Sequence, residues 1–135
     1  MPGQSSGIIV STPPFSILLL SEGMLTNLEQ LGYASMTPIQ AASLPTMLAG
    51  RDIIAQAATG SGKTAAFGIA LLNPLNPAYF GCQALVLCPT RELADQVSQE
   101  IRRLARAFGN IKILTLCGGQ PLARRLVRLS MVRRL

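Results

Sequence analysis

The chain contains no histidine and no tryptophan, and aromatic residues make up only 4% of its 135 positions. Without histidine there is no Ser-His-Asp or Cys-His nucleophile and no imidazole-bound metal. Cysteine is scarce and odd in number. Cys82, Cys88 and Cys117 show no C-x-x-C spacing, which argues against a disulfide framework or a zinc site and for buried thiols in a reducing cytoplasm. Long hydrophobic runs are missing too: the longest, Ala65 to Leu72, is far too short to cross a bilayer. The first twenty residues carry no Lys or Arg and include Pro13-Pro14, unlike a secretory signal. Neither a membrane nor a disulfide partner is therefore expected. Acidic groups are few, six against twelve basic ones, giving a net charge of +6. That charge is not spread evenly. Residues 120–135 hold five arginines and no acid, so residues 1–119, with seven basic and six acidic groups, stand near +1. The basic character belongs to the tail and says little about what the body binds.

What is present is a hydrophobic fraction of 49% on a chain long enough for one domain with a real core. The most informative stretch is Ala57-Ala58-Thr59-Gly60-Ser61-Gly62-Lys63-Thr64. It follows the apolar run Asp52-Ile53-Ile54-Ala55, which reads as a buried strand, and opens into Thr64 to Leu72, which reads as a helix. Strand, glycine loop and helix make the context of a phosphate-binding loop. Gly60 and Gly62 let backbone N–H groups approach phosphates with no Cβ in the way. The helix that follows points its unsatisfied N–H groups and positive dipole end at the same anion. Lys63 adds a charge near the terminal phosphates, and Thr64 a hydroxyl for Mg²⁺. The strict pattern begins with Gly, where this chain has Ala57.

Residues 1–14, rich in Gly, Ser and Pro, read as a mobile arm. Ser21 to Leu31 reads as a short helix stopped by Gly32, with Met24, Leu28 and Leu31 on one face. Thr37-Pro38 is a helix start, with Thr as N-cap and Pro in the first turn; this helix runs to about Ala49 and stops at Gly50. Ala84 to Cys88 and Ile111 to Leu116 read as buried strands. Between them, about Arg91 to Phe108, lies an amphipathic helix. Leu93, Val97, Ile101, Leu104 and Phe108 form its apolar stripe, with Asp95, Gln99, Arg102 and Arg106 facing water. Strands alternating with helices predict an α/β fold, a parallel sheet flanked by helices.

Ligands of such sheets sit beyond the carboxyl ends of the strands. Three loops fall there: Ala58 to Lys63, Pro89 to Glu92, and Cys117 to Gln120. Thr90 caps a helix whose orphan N–H groups, with Arg91 beside them, suit a nucleic-acid phosphate, and Gly118-Gly119 allows close backbone approach.

Taken together these motifs resemble the DEAD-box family of ATP-dependent RNA helicases. The resemblance rests on Phe15, Gly32-Tyr33 and Thr37-Pro38-Ile39-Gln40 at the family's spacing. It also rests on the phosphate loop with the family's usual Ala57, on Pro89-Thr-Arg-Glu-Leu-Ala94, and on Gly118-Gly119. The text around the last two looks like the bacterial DbpA-type branch. About Phe15 to Pro121 is covered, so the resemblance implies a partial RecA-like, P-loop NTPase lobe over 15–121.

The resemblance further implies ATP and Mg²⁺ as cofactors and RNA, ribosomal RNA or its precursors, as partner. Nucleotide binding falls to Phe15, Thr37, Gln40, Ala58, Thr59, Gly60, Ser61, Gly62, Lys63 and Thr64, with Phe15 stacking on adenine and Gln40 reading its edge. Lys63 and Thr64 serve catalysis, and Thr64 the metal. Pro89, Thr90, Arg91, Gly118 and Gly119 hold RNA. Where family members commonly place a polar residue this chain has Ala58, a mild departure. The Asp-Glu-Ala-Asp motif, the Ser-Ala-Thr motif and a second lobe do not occur in these 135 residues. The expectation is a truncated fragment unable to hydrolyse ATP or unwind RNA alone. The Ile53-Ile54 strand is expected to have exposed edges. Residues 122–135 read either as non-family sequence produced by a frame shift or early stop, which is favoured, or as a basic amphipathic helix for RNA or a membrane surface. A non-catalytic nucleotide- or RNA-binding module uses the same residues. An unrelated small phosphate-loop kinase is disfavoured by Gln40 and by the missing acidic metal ligand.

Overall fold

Helices form wherever the sequence supplies a local start and stop. In the computed structural model, which describes residues 12–119, 121 and 123, α1 spans Glu22–Gln30. The Ser21 hydroxyl accepts the Met24 N–H at 3.2 Å, satisfying one orphan donor at its N-terminus. At the other end Gly32 takes φ +85°, so the Gly32 and Tyr33 N–H groups turn back onto the Glu29 and Leu28 carbonyls at 3.0 and 2.9 Å. Helix α2, Pro38–Leu48, ends in the same way. Gly50 sits at φ +73°, and the Gly50 and Arg51 N–H groups reach Met47 and Thr46. Helix α3 is Lys63–Leu72, and α4 is Arg91–Leu104 with a 3-10 turn, Ala105–Ala107, behind it.

The expected helix from Arg91 to Phe108 is therefore one regular helix that tightens at its end. The side chain of Asn27 on α1 explains where. Its Nδ2 donates to the Arg103 and Leu104 carbonyls at 3.2 and 3.0 Å, taking up acceptors that a helix end leaves unpaired. One apolar core joins the four helices: Met24 and Leu28 of α1, Leu44 of α2, Ile69 and Leu72 of α3, and Val97, Ile101 and Leu104 of α4. Gly68 lets α3 lie close on α4, since a Cβ there would stand 2.9 Å from Leu104 Cδ1. Of the expected stripe on α4, Leu93 stays exposed and Phe108 is only partly buried.

The expected parallel sheet is not formed: among the described residues there is no strand. Residues 52–57, 84–88 and 111–116 are irregular, and no backbone hydrogen bond joins them to one another. Their side chains confirm the missing neighbours. Ile54 is 101% exposed, Leu85 78% and Leu87 85%. A strand gains its stability from bonds to adjacent strands, and these three segments do not supply that to each other. A cavity of about 1140 Å³ lies between residues 82–88, residues 110–116 and the inner faces of α3 and α4. The arm 1–14 lies outside the described residues as far as residue 11. The tail 122–135, apart from residue 123, lies outside them as well.

Candidate nucleotide site

The glycine loop is a turn held from within. Gly60 and Gly62 take φ +79° and +90°, and the Ser61 N–H bonds the Ala58 carbonyl at 3.2 Å. Gly62 is the N-cap of α3, so Lys63 and Thr64 open the helix with their N–H groups facing the loop, as expected from the sequence. The Lys63 ammonium bends back and donates to the Ala57 carbonyl. The cation thus spans the loop's mouth, where the phosphates are expected.

Gln40 ties α2 to this loop. The residue is 1% exposed; its Nε2 donates to the Gly62 carbonyl at 3.1 Å and its Oε1 accepts the Thr37 N–H at 2.9 Å. Thr37 and Gln40 form a capping box whose return contact is looser, leaving the Thr37 hydroxyl buried without a hydrogen-bond partner. The Ser61 hydroxyl is buried in the same condition. Unpaired buried hydroxyls are costly, and two of them flank this one loop. A primary amide has two N–H groups and two carbonyl lone pairs. Gln40 has spent one of each, and the remaining donor and acceptor match what an adenine edge requires.

Phe15 does not stand in the open. Its ring is 4% exposed and meets Tyr33 edge-on, with ring centres 6.2 Å apart and planes at 87°. The Tyr33 hydroxyl bonds the Glu100 carboxylate, which also pairs with Arg103 at 3.0 Å. Burial, and then the bond to Glu100 and its negative charge, push the Tyr33 phenol up to about 12, against a partial lowering by Arg103. This chain of contacts from Phe15 to α4 was not legible from spacing, because residues 33 and 100 meet only in three dimensions.

The other loops form a second cluster. Thr90 caps α4 by accepting the Leu93 N–H at 3.2 Å. Gly119, at φ +77°, lies against the Arg91 guanidinium so closely that a Cβ would stand 2.7 Å from Nη2. Pro89-Thr90-Arg91 and Gly118-Gly119 therefore share one patch of surface. Among the described residues, no group of three or more His, Cys, Asp or Glu gathers to hold a metal. Thr64 offers a single hydroxyl, which suits Mg²⁺ carried in on phosphates with its own waters.

Residues 37–133 match the family model described as DEAD/DEAH box helicase. The chain belongs to this family. The match continues past Pro121 into the basic segment that the sequence reading sets apart. The Escherichia coli ATP-dependent RNA helicase DbpA is 65% identical over 108 residues, covering 79% of this chain and 24% of DbpA. The Bacillus subtilis DEAD-box ATP-dependent RNA helicase CshA is 42% identical over 115 residues, covering 85% of this chain and 23% of CshA. The chain thus spans about a quarter of the length of these family members. Among solved structures, a DEAD box protein from Methanococcus jannaschii superposes with a TM-score of 0.80 at 39% identity, over 86% of this chain and 32% of that one. The RNA-helicase Prp28 from Chaetomium thermophilum, bound to ADP, gives 0.73 at 40% identity, over 82% and 28%. Such agreement at such identity assigns the helices and loops here to the P-loop NTPase fold of DEAD-box helicases.

Proposed function

We propose that this chain carries the ATP-gripping face and part of the RNA-gripping face of an ATP-dependent RNA helicase. The observation that carries the reading is the Gln40 amide, buried and bonded at once to Thr37 and to the Gly62 carbonyl of the glycine loop. It sets a purine-reading group against a phosphate-reading one. In this reading Gln40 uses its second N–H and second lone pair on adenine N7 and N6, and guanine, with O6 in place of N6–H₂, leaves the acceptor unmatched. The loop from Ala58 through Thr59, Gly60, Ser61 and Gly62 wraps the phosphates. Lys63 leaves the Ala57 carbonyl for them, and Thr64 supplies one oxygen to Mg²⁺. Phe15 acts first as the anchor of the segment before Gln40, and stacking on adenine requires its ring to swing out of the core. Pro89, Thr90, Arg91, Gly118 and Gly119 hold RNA phosphates, and ribosomal RNA or its precursors are the proposed target, met in the cytoplasm.

These 135 residues contain no Asp-Glu-Ala-Asp sequence to position water and metal. In this reading they bind nucleotide, and hydrolysis is not expected of them by themselves. Titration with fluorescent ATP and GTP analogues tests the reading: ATP binds about ten- to a hundred-fold more tightly than GTP, the worth of one bidentate contact. Lys63→Ala abolishes both. Equal affinities, binding indifferent to Lys63→Ala, or RNA-stimulated hydrolysis that disappears in Lys63→Ala would each overturn part of it.

A further inference from the structure

The segment that carries Phe15 is strapped along residues 33–36. Thr12 and Ser35 share a hydroxyl hydrogen bond at 2.9 Å, and the Met36 N–H donates to the Pro13 carbonyl at 2.9 Å. Beyond them the Phe15 ring meets Tyr33, and Tyr33 is itself tied to α4. Its hydroxyl donates to Glu100 Oε1, while Arg103 donates to Glu100 Oε2 at 3.0 Å, so the carboxylate is held at both oxygens. A phenol bonded to a carboxylate is charge-assisted and stronger than a neutral pair. The Glu100 side chain is 20% exposed, so water competes little for it. Tyr33 is thereby fixed against the space that Phe15 fills. When Phe15 leaves the core, a fixed neighbour cannot move in to close the gap, and the opening carries the full cost of a cavity.

We propose that Tyr33 and Glu100 form a latch that positions Phe15, keeping its ring in the core and setting how readily it turns out to stack on a nucleotide base. The inference rests on the adenine-stacking role of Phe15 in the proposed function. Both latch residues act through Phe15 and not on the nucleotide. A site whose competent form is a minor population binds more weakly by that fraction. Loosening the latch therefore tightens the hold on the base. The phosphate loop, bridged separately by Gln40 to the Gly62 carbonyl, is left as it was.

Tyr33→Phe keeps the ring and deletes the tie. In the whole 135-residue chain it is expected to bind a fluorescent ATP analogue about three- to tenfold more tightly, by raising the open fraction of Phe15. Inorganic tripolyphosphate, which has no base, binds the two proteins equally in competition. Glu100→Ala repeats the gain, whereas Glu100→Gln, whose amide oxygen still accepts the phenol, stays within about twofold of the parent. With Phe15→Ala in the background, Tyr33→Phe changes nothing, since the latch has no ring to hold. A second readout needs no nucleotide. Fluorine NMR of the fluorophenylalanine-labelled chain, with the Phe15 signal assigned by its loss in Phe15→Leu, shows a more solvent-exposed ring in Tyr33→Phe and Glu100→Ala. Measurable analogue binding that is unchanged or weaker in Tyr33→Phe, an equal gain for tripolyphosphate, or a gain that survives Phe15→Ala would each overturn the proposal. So would a Phe15 signal as buried in both variants as in the parent. If no protein binds the analogue while the Phe15 signal moves as expected, the latch is upheld and the function reading fails.

Discussion

Gly62 is constrained twice, by a backbone at φ +90° and by the Gln40 amide, whose Nε2 would lie 2.5 Å from any Cβ placed there. Gly60 has a comparable φ of +79° but nothing within 4 Å of its missing Cβ. Comparing the two separates strain from contact. Gly60→Ala is expected to cost about 1–2 kcal/mol of unfolding free energy, the left-handed penalty alone. Gly62→Ala costs more, and lowers ATP-analogue affinity at least about tenfold because the Gln40 bridge must move. Urea denaturation and fluorescence titration measure the two effects. Tyr33 gives a pH signature. Its folded pKa of about 12 stands above the ordinary 10.0, so the stability it contributes is complete below pH 10 and is lost as pH rises through about 12. Tyr33→Phe removes this alkaline slope, seen by comparing denaturation midpoints of the two proteins across that window.

At the level of elements, α4 is fastened at both ends by single side chains from different places in the sequence. Thr90→Ala removes the N-terminal cap and is expected to cost about 0.5–2 kcal/mol. Asn27→Ala removes the amide's bonds to the Arg103 and Leu104 carbonyls under α1 and costs about 1–3 kcal/mol. The sites share no partner, so the double variant should show the sum within about 0.5 kcal/mol in chemical denaturation. The caps also show what a sequence can reveal. Ser21, Gly32, Thr37-Pro38, Gly50 and Thr90 act on backbone groups a few residues away, so the helices were legible from them. The apolar runs at 53–54, 84–88 and 111–116 had the right composition for strands, but a strand is completed by residues elsewhere. The same division holds in the site. Spacing exposed the glycine loop and the Thr37-to-Gln40 motif, while the Lys63 contact to Ala57, the Gln40 bond to Gly62 and the burial of Phe15 depend on how distant parts pack.

For the molecule as a whole, as far as the described residues go, α1 to α4 form a continuous core, and the segments meant for a sheet touch it only at their margins, through Cys88, Ile111 and Ile113. Leu85→Lys, at a side chain mostly in water already, is expected to raise solubility without lowering helix content. Sedimentation and circular dichroism check both. The same exposure has a calorimetric consequence. Unfolding raises the heat capacity of ordinary domains by about 12–15 cal/mol/K per residue because it delivers buried apolar surface to water. Here Ile54, Leu85, Leu87 and Leu116 have been delivered in advance. The heat-capacity step of this chain should therefore fall below that range, and its stability should vary only weakly with temperature.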